Sequence, residues 1–169
     1  MQLIRQPFAH NQHSSFREKT LEHIFVGECL RCLWRRQIFN AEVLLADVDG
    51  AGYDVVFDVG GVIRHIQLKS SAHDSSTAIQ KINRKLAEKP SGCIVWMLFD
   101  TDSLTIAPFL WFGDEPRKPL PPLSAFKVAK HSKGNAKGAK LERPNIVEIP
   151  KAKFERLATM DALIDKLFG

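Results

Sequence analysis

The sequence lacks the features of an exported or membrane-spanning protein. Its opening residues, MQLIRQPFAH, contain no apolar core of signal-peptide length, and no later window approaches the about eighteen uncharged apolar residues that a membrane helix needs. The three cysteines are an odd number, which does not make a disulfide framework. We therefore expect a soluble cytoplasmic protein with no membrane partner.

Two of these cysteines, Cys29 and Cys32, form a CxxC pair. No second pair of cysteines or histidines lies at the spacing of a zinc site, and the surrounding GECLRCLWRR has the pattern of a helix. We interpret them as small apolar core residues on adjacent helical turns.

Length and composition predict a single domain that spans residues 1–169. Hydrophobic residues make up 44% of the 169 positions and charged residues 25%, which suffices for one core but hardly for two. The net charge of +5 and the pI near 9.2 favour a polyanionic partner.

Periodicity and turn residues predict a mixed α/β domain built on one central sheet. Residues 15–18, SFRE, match a capping box in which Ser15 caps a helix and Glu18 reaches back to it, so a helix should run from there to about Gln37. Gly60 and Gly61 predict a two-residue hairpin turn. The other predicted elements are strands over 41–46, 53–59, 62–70, 93–100 and 103–112, helices over 75–90 and 160–169, and loops over 113–122 and 127–143.

Two finer expectations concern bulky or rigid residues. Pro108 should kink its strand or confine it to an edge of the sheet, because proline donates no ladder hydrogen bond. The tryptophans Trp34, Trp96 and Trp111 all fall in apolar runs, so we expect them in the core.

Polar side chains interrupt the otherwise apolar strands within YDVVFDVGGVIRHIQLKSS, residues 53–71. Side chains alternate along a strand, so Gln67 and Lys69 share one face, and the Gly-Gly hairpin brings Asp54 beside them. Phosphodiester hydrolysis uses a hard cation held by oxygen ligands and a nearby positive charge. Asp54, Gln67 and the Leu68 carbonyl could hold such a cation, and Lys69 could supply the charge.

Asp54 is followed thirteen positions later by Gln67-x-Lys69, and a helix that carries a glutamate precedes both. This motif resembles the PD-(D/E)XK nuclease superfamily. The resemblance covers residues 15 to about 100 and is strongest to small single-domain members, such as archaeal Holliday-junction resolvases and an intron-encoded homing endonuclease with a Q-x-K variant. It implies a restriction-endonuclease-like fold, a central mixed β-sheet flanked by helices. The motif departs from the family pattern at Tyr53, where proline is usual, and at Gln67, where an acid is usual.

The resemblance also implies a function and its residues. Asp54, Gln67 and Lys69 would be catalytic, completed by a glutamate of the first helix. Glu28 is the favoured glutamate and Glu22 is the reserve. Mg²⁺ or Mn²⁺ would be held by Asp54, Gln67, the Leu68 carbonyl and Glu28. Small nucleases of this type often dimerise to cut both strands of DNA, so a homodimer is a further implication, although no segment specifies an interface.

Basic and hydroxyl side chains are the candidates for contacts with DNA. The basic helix and the flexible basic segment 127–143 contribute most of them. The candidates are Ser70, Ser71, Lys81, Arg84, Lys85, Lys127, Lys130, Lys133, Lys137, Lys140 and Arg143.

The function predicted from these residues is a metal-dependent DNA endonuclease, and two other hypotheses stay open. Because Gln67 removes a negative charge from the predicted metal site, the chain could instead be an inactive nucleic-acid-binding protein that kept the fold. It could also be a subunit of a larger mobile-element or defence assembly that needs a partner for activity.

Overall fold

The computed structural model describes residues 13–46, 50–131 and 140–169. Helix α1, Ser14–Arg35, places Leu21, Phe25, Cys29 and Cys32 on one buried face, as the spacing predicts. The capping box is wrong, because the helix begins one residue before Ser15 and the residue at its N-cap, His13, makes no side-chain cap hydrogen bond.

Three strands form an antiparallel meander after α1. They are β1 (Ala41–Leu45), β2 (Val55–Val59) and β3 (Val62–Ala72). Gly60 and Gly61 have φ of 60° and 80°, the conformation that a two-residue hairpin turn requires, and the Gly61 N–H donates to Asp58 Oδ1 over 2.9 Å. The predicted Gly-Gly hairpin is confirmed, and Asp58 has a structural role in it.

The meander continues into a mixed six-stranded sheet in the order β1-β2-β3-β5-β6-β9. Its further strands are β5 (Gly92–Phe99), β6 (Ile106–Phe112) and β9 (Glu155–Leu157). Strand β5 runs parallel to β3, and every other pair is antiparallel. Of the two alternatives for Pro108, an edge position is wrong, because β6 lies between β5 and β9. The β5–β6 ladder is irregular beside Pro108, between the pairs Met97–Phe109 and Phe99–Ile106, which agrees with the predicted kink.

Strand β5 is buried at all eight positions because both faces of the sheet are covered. Its residues Cys93, Val95, Met97 and Phe99 pack in the core under α1 and helix α2, Met160–Phe168. Ile94, Trp96 and Leu98 pack in a second core on the opposite face.

That opposite face is covered by a second sheet of three strands in the order β4-β8-β7. Its strands are β4 (Ile79–Asn83), β7 (Lys127–Lys130) and β8 (Glu142–Pro150), and a 3-10 helix, Arg84–Glu88, follows β4. A second short 3-10 helix, Lys151–Lys153, joins β8 to β9.

This sheet corrects three predictions. The helix over 75–90 is wrong, since its middle is a strand that pairs with β8. The α/β class with a central mixed sheet is confirmed, but the described residues form a second, three-stranded sheet that the sequence did not predict. The basic segment 127–143 is a loop only in part, since its ends are strands β7 and β8, while residues 132–139 lie outside the described residues.

Helix α2 is fixed to the sheet by a buried arginine and to α1 by ion pairs. Arg64, with no exposed surface, donates to the carbonyls of Leu167, Lys166 and Asp114 over 2.7 to 2.9 Å. Desolvation lowers the pKa of this guanidinium. Arg36 of the α1 C-cap pairs with Asp161 and Asp165.

The three cysteines Cys29, Cys32 and Cys93 are free and buried, which confirms the interpretation of Cys29 and Cys32 as core residues. Burial raises the pKa of Cys93 to about 12. The tryptophan expectation is confirmed for Trp96 and Trp111 but is wrong for Trp34, which is 70% exposed. In the described part of the chain neither helix has the length and apolar character needed to cross a membrane.

Candidate active site

An open cavity of about 530 Å³ lies where strands β2 and β3 separate, beside the first two turns of α1. It is lined by Ser15, Glu18, Lys19, Leu21, Glu22, Ala46, Tyr53, Asp54, Leu68, Lys69, Ser70, Gln80 and Met97. One wall therefore comes from α1, a second from the β2–β3 pair, and Gln80 reaches it from the second sheet.

Asp54 enters the cavity because the β2–β3 ladder ends beside it. Its N–H still donates to the Ile66 carbonyl over 2.9 Å, but beyond that pair β3 continues without β2. The next β3 amide on that side, Leu68 N–H, donates instead to Asp54 Oδ2 over 2.6 Å. A carboxylate thus takes the place of a backbone acceptor, which fixes its position at the end of the strand pair.

The Leu68 carbonyl lies on the same side of β3 as the Leu68 N–H, because both backbone groups of a strand residue face the same neighbour. It is therefore directed toward the cavity side of the strand, as the predicted set of metal ligands requires.

Gln67 and Lys69 share a face of β3, opposite Ile94 and Trp96 of β5. Lys69 lines the cavity. Gln67 does not line it and is 4% exposed, and its Oε1 atom is buried without a hydrogen-bond partner in the described structure. A buried amide oxygen without a donor is costly, so this atom has unused capacity to accept a hydrogen bond or a cation.

The helix acids in the cavity are Glu18 and Glu22, one helical turn apart. Glu22 has a side chain that is 13% exposed, and its carboxylate accepts from Lys19 Nζ over 3.0 and 3.2 Å. Glu28 does not line the cavity, and its carboxylate pairs with Arg31. Six residues of helix turn a side chain by about 600°, which leaves Glu28 about 120° around the helix axis from Glu22.

The residues that could hold a hard divalent cation here are Asp54, Glu22 and Leu68, through its carbonyl, with water in the other coordination positions. Within residues 13–46, 50–131 and 140–169, no group of three or more His, Cys, Asp or Glu side chains is arranged to hold a metal. Mg²⁺, however, keeps several waters and is commonly bound through one or two carboxylates. Asp54 and Glu22, with the Leu68 carbonyl, provide that number of oxygen donors.

Few of the predicted DNA-contacting residues lie at this cavity. Ser70 lines it, whereas Ser71 is buried and accepts from Trp96 Nε1 over 3.0 Å. Lys81 lies on the opposite face of β4 from its neighbour Gln80.

The remaining predicted contacts are spread over other surfaces. Lys85 donates to the Gly50 carbonyl over 3.1 Å, and Arg84 is half-buried in the same 3-10 helix, so the predicted basic helical face is wrong. Exposed basic residues on or next to β7 and β8 are Lys127, Lys130, Lys140 and Arg143. Lys133 and Lys137 lie outside the described residues.

Sequence reasoning missed Lys19 and Gln80 as cavity residues. Lys19 lies three positions before Glu22, the spacing at which helical side chains meet, so the sequence did contain a signal for it. Gln80 could not be found, because the segment that carries it was predicted to be a helix.

No protein-family model, curated protein or solved structure matches this chain.

Proposed function

We propose that this chain is a metal-dependent DNA endonuclease with a restriction-endonuclease-like fold. The observation that supports it is that two carboxylates and an ammonium line one open cavity: Glu22 of α1, Asp54 just before β2, and Lys69 of β3. A helix acid, a strand acid and a lysine two residues after a glutamine are the groups that the resemblance to PD-(D/E)XK nucleases implies.

The order of elements also supports this fold. Helix α1 precedes an antiparallel meander, and the next strand of the same sheet, β5, runs parallel to β3. Both helices pack on one face of that sheet, and a small sheet covers the other, so the flanking layers differ from the helices that the resemblance implies.

In the proposed reaction Asp54, Glu22 and the Leu68 carbonyl would hold Mg²⁺ or Mn²⁺. Bound there, the cation supplies a Lewis acid for the phosphate and lowers the pKa of a coordinated water. Glu22 takes the role first assigned to Glu28, because Glu22 lines the cavity and Glu28 does not.

Lys69 is the proposed electrostatic group. Its ammonium would contact the scissile phosphate, where it stabilises the negative charge that develops as water attacks, and would orient that water. The Leu68 amide holds Asp54 in place for this reaction, and Gln67 stands on the same strand face as Lys69 with an amide oxygen available.

The test is cleavage of supercoiled, branched and single-stranded DNA in Mg²⁺ and in Mn²⁺ by the wild type, Asp54→Asn and Lys69→Ala. Asp58→Asn is the matched control, since Asp58 is on the neighbouring stretch of β2 and an amide oxygen can still accept from Gly61 N–H. We expect cleavage by the wild type and the control, and no cleavage by the other two variants. Cleavage that survives Asp54→Asn would overturn the proposal.

A second candidate is a DNA-binding protein without catalysis. It is favoured by the neutral Gln67 and because, within the described residues, no group of three or more His, Cys, Asp or Glu side chains is arranged to hold a metal. Such a protein would bind DNA with a steep dependence on salt concentration, because phosphate contacts release counterions. Salt-dependent DNA binding without cleavage in Mg²⁺ or Mn²⁺ would support this candidate over the endonuclease.

A further inference from the structure

Lys19 is the cation of the α1 wall of the cavity. It lies at the second turn of the helix, its side chain is 63% exposed, and its ammonium lies 3.0 Å from Glu22 Oε1. The partner carboxylate is far less exposed, at 13%. The lysine is therefore the more exposed end of this ion pair, and its long flexible stem can redirect the charge without moving the helix.

The Lys19 ammonium contacts both carboxylate oxygens of Glu22, over 3.0 and 3.2 Å, so a divalent cation that coordinates Glu22 would share an oxygen with this ammonium. Both are positive, and at separations of a few ångströms they repel each other in the partly desolvated wall of the cavity. Metal binding would therefore displace the ammonium from at least one of these two oxygens.

We propose that Lys19 is a positioning residue that exchanges partners: it holds Glu22 in the metal-free protein and moves to a substrate phosphate when a divalent cation takes Glu22. This inference rests on the proposed function. It assigns to one side chain two opposite effects, competition with the metal and attraction of the DNA backbone.

The two effects predict that Lys19→Gln changes the affinities for the cation and for DNA in opposite directions. Without the competing ammonium, the cation should bind more tightly by about two- to fivefold, the range that exposed ion pairs support. Without the lysine on the phosphate, DNA should bind more weakly, and the slope of log affinity against log salt should fall by about 0.9. A purely structural role for Lys19 would weaken both interactions or neither.

The experiment measures Mn²⁺ binding directly, by the decrease in the electron paramagnetic resonance signal of free Mn²⁺, and DNA binding in Ca²⁺ at several salt concentrations. The proteins are the wild type, Lys19→Gln, Asp54→Asn and Arg31→Gln. Arg31→Gln is the matched control because Arg31 makes an exposed three-residue-spaced pair with Glu28 on the same helix, away from the cavity.

We expect tighter Mn²⁺ binding and a smaller salt slope for Lys19→Gln only. Equal Mn²⁺ affinities of the wild type and Lys19→Gln would overturn this inference and leave the proposed function standing. Tighter binding in Arg31→Gln instead would also overturn it, since the metal would then compete with Arg31 at Glu28. Mn²⁺ binding that Asp54→Asn does not change would overturn the proposed function and this inference together.

Discussion

Glu22 and Glu28 show that the position of a glutamate on α1 determines whether its side chain lines the cavity. Both are glutamates of α1, and each pairs with a cation three residues away, Lys19 or Arg31. Only Glu22 lines the cavity with Asp54 and has a side chain that is mostly shielded from water. A carboxylate in that environment interacts more strongly with a cation than one at the open surface.

We therefore expect Glu22→Gln to reduce the rate of DNA cleavage at least ~100-fold, because a metal ion provides several kcal/mol of transition-state stabilisation. Glu28→Gln should retain the wild-type rate within a few-fold. The measurement is the single-turnover rate in Mg²⁺ for both variants. The reverse order of rates would show that Glu28 is the helix acid.

The sequence identified the pair Asp54 and Lys69, because alternation along a strand and a two-residue turn determine which side chains lie together. It named Glu22 only as the reserve helix glutamate, behind Glu28, although Glu22 lines the cavity and Glu28 does not. Ser15 and Glu18 have the spacing of a capping box, yet α1 begins at Ser14 and Glu18 lines the cavity. A glutamate in the first turns of a helix can cap the helix or line a site, and the local sequence is the same in both cases.

At the scale of elements, strand β4 is the largest error of the sequence-based prediction. Ile79, Ile82 and Leu86 are spaced three and four apart, which is the pattern of a helix face. In the structure Ile82 and Leu86 are buried, but Ile79 is 46% exposed, because positions three apart in a strand point to opposite faces. The pairing of Ile82 with Val147 of β8 joins distant parts of the chain, and local periodicity does not contain that information.

Two alanine substitutions test this strand. Ile82→Ala should lower the free energy of unfolding by about 2–5 kcal/mol, the cost of a cavity in a packed core. Ile79→Ala should lower it by about 1 kcal/mol or less, since that side chain is half exposed. Urea denaturation followed by circular dichroism measures both. Comparable decreases in the two variants would contradict the strand and fit a helix.

At the scale of the whole molecule, the second sheet presents exposed basic residues together with acidic neighbours. Lys127, Lys130 and Arg143 are exposed on β7 and β8, in a chain whose net charge is +5. Their cross-strand neighbours include Glu142 and Glu148, which offset part of this charge. The positive charge that is not offset still favours contact between these strands and a polyanion such as DNA.

Replacement of Lys127, Lys130 and Arg143 by glutamine should weaken DNA binding and reduce the slope of log affinity against log salt by about 2.7, or about 0.9 for each phosphate that the protein no longer neutralises. The control replaces three ion-paired cations elsewhere, Arg31, Lys118 and Lys166, and so removes the same charge. Equal slopes for the two triple variants would mean that net charge, and not these strands, attracts the DNA.

Strand β5 has a consequence for the unfolded chain. Its residues Cys93–Phe99, CIVWMLF, contain no charge and no proline, and they are shielded only when β3, β6 and both covering layers are in place. An exposed run of this composition readily stacks with copies of itself into intermolecular strands. The strand at the centre of the folded sheet is thus also the segment through which unfolded chains aggregate, and the speed of its pairing with β3 and β6 limits the concentration at which the protein can refold.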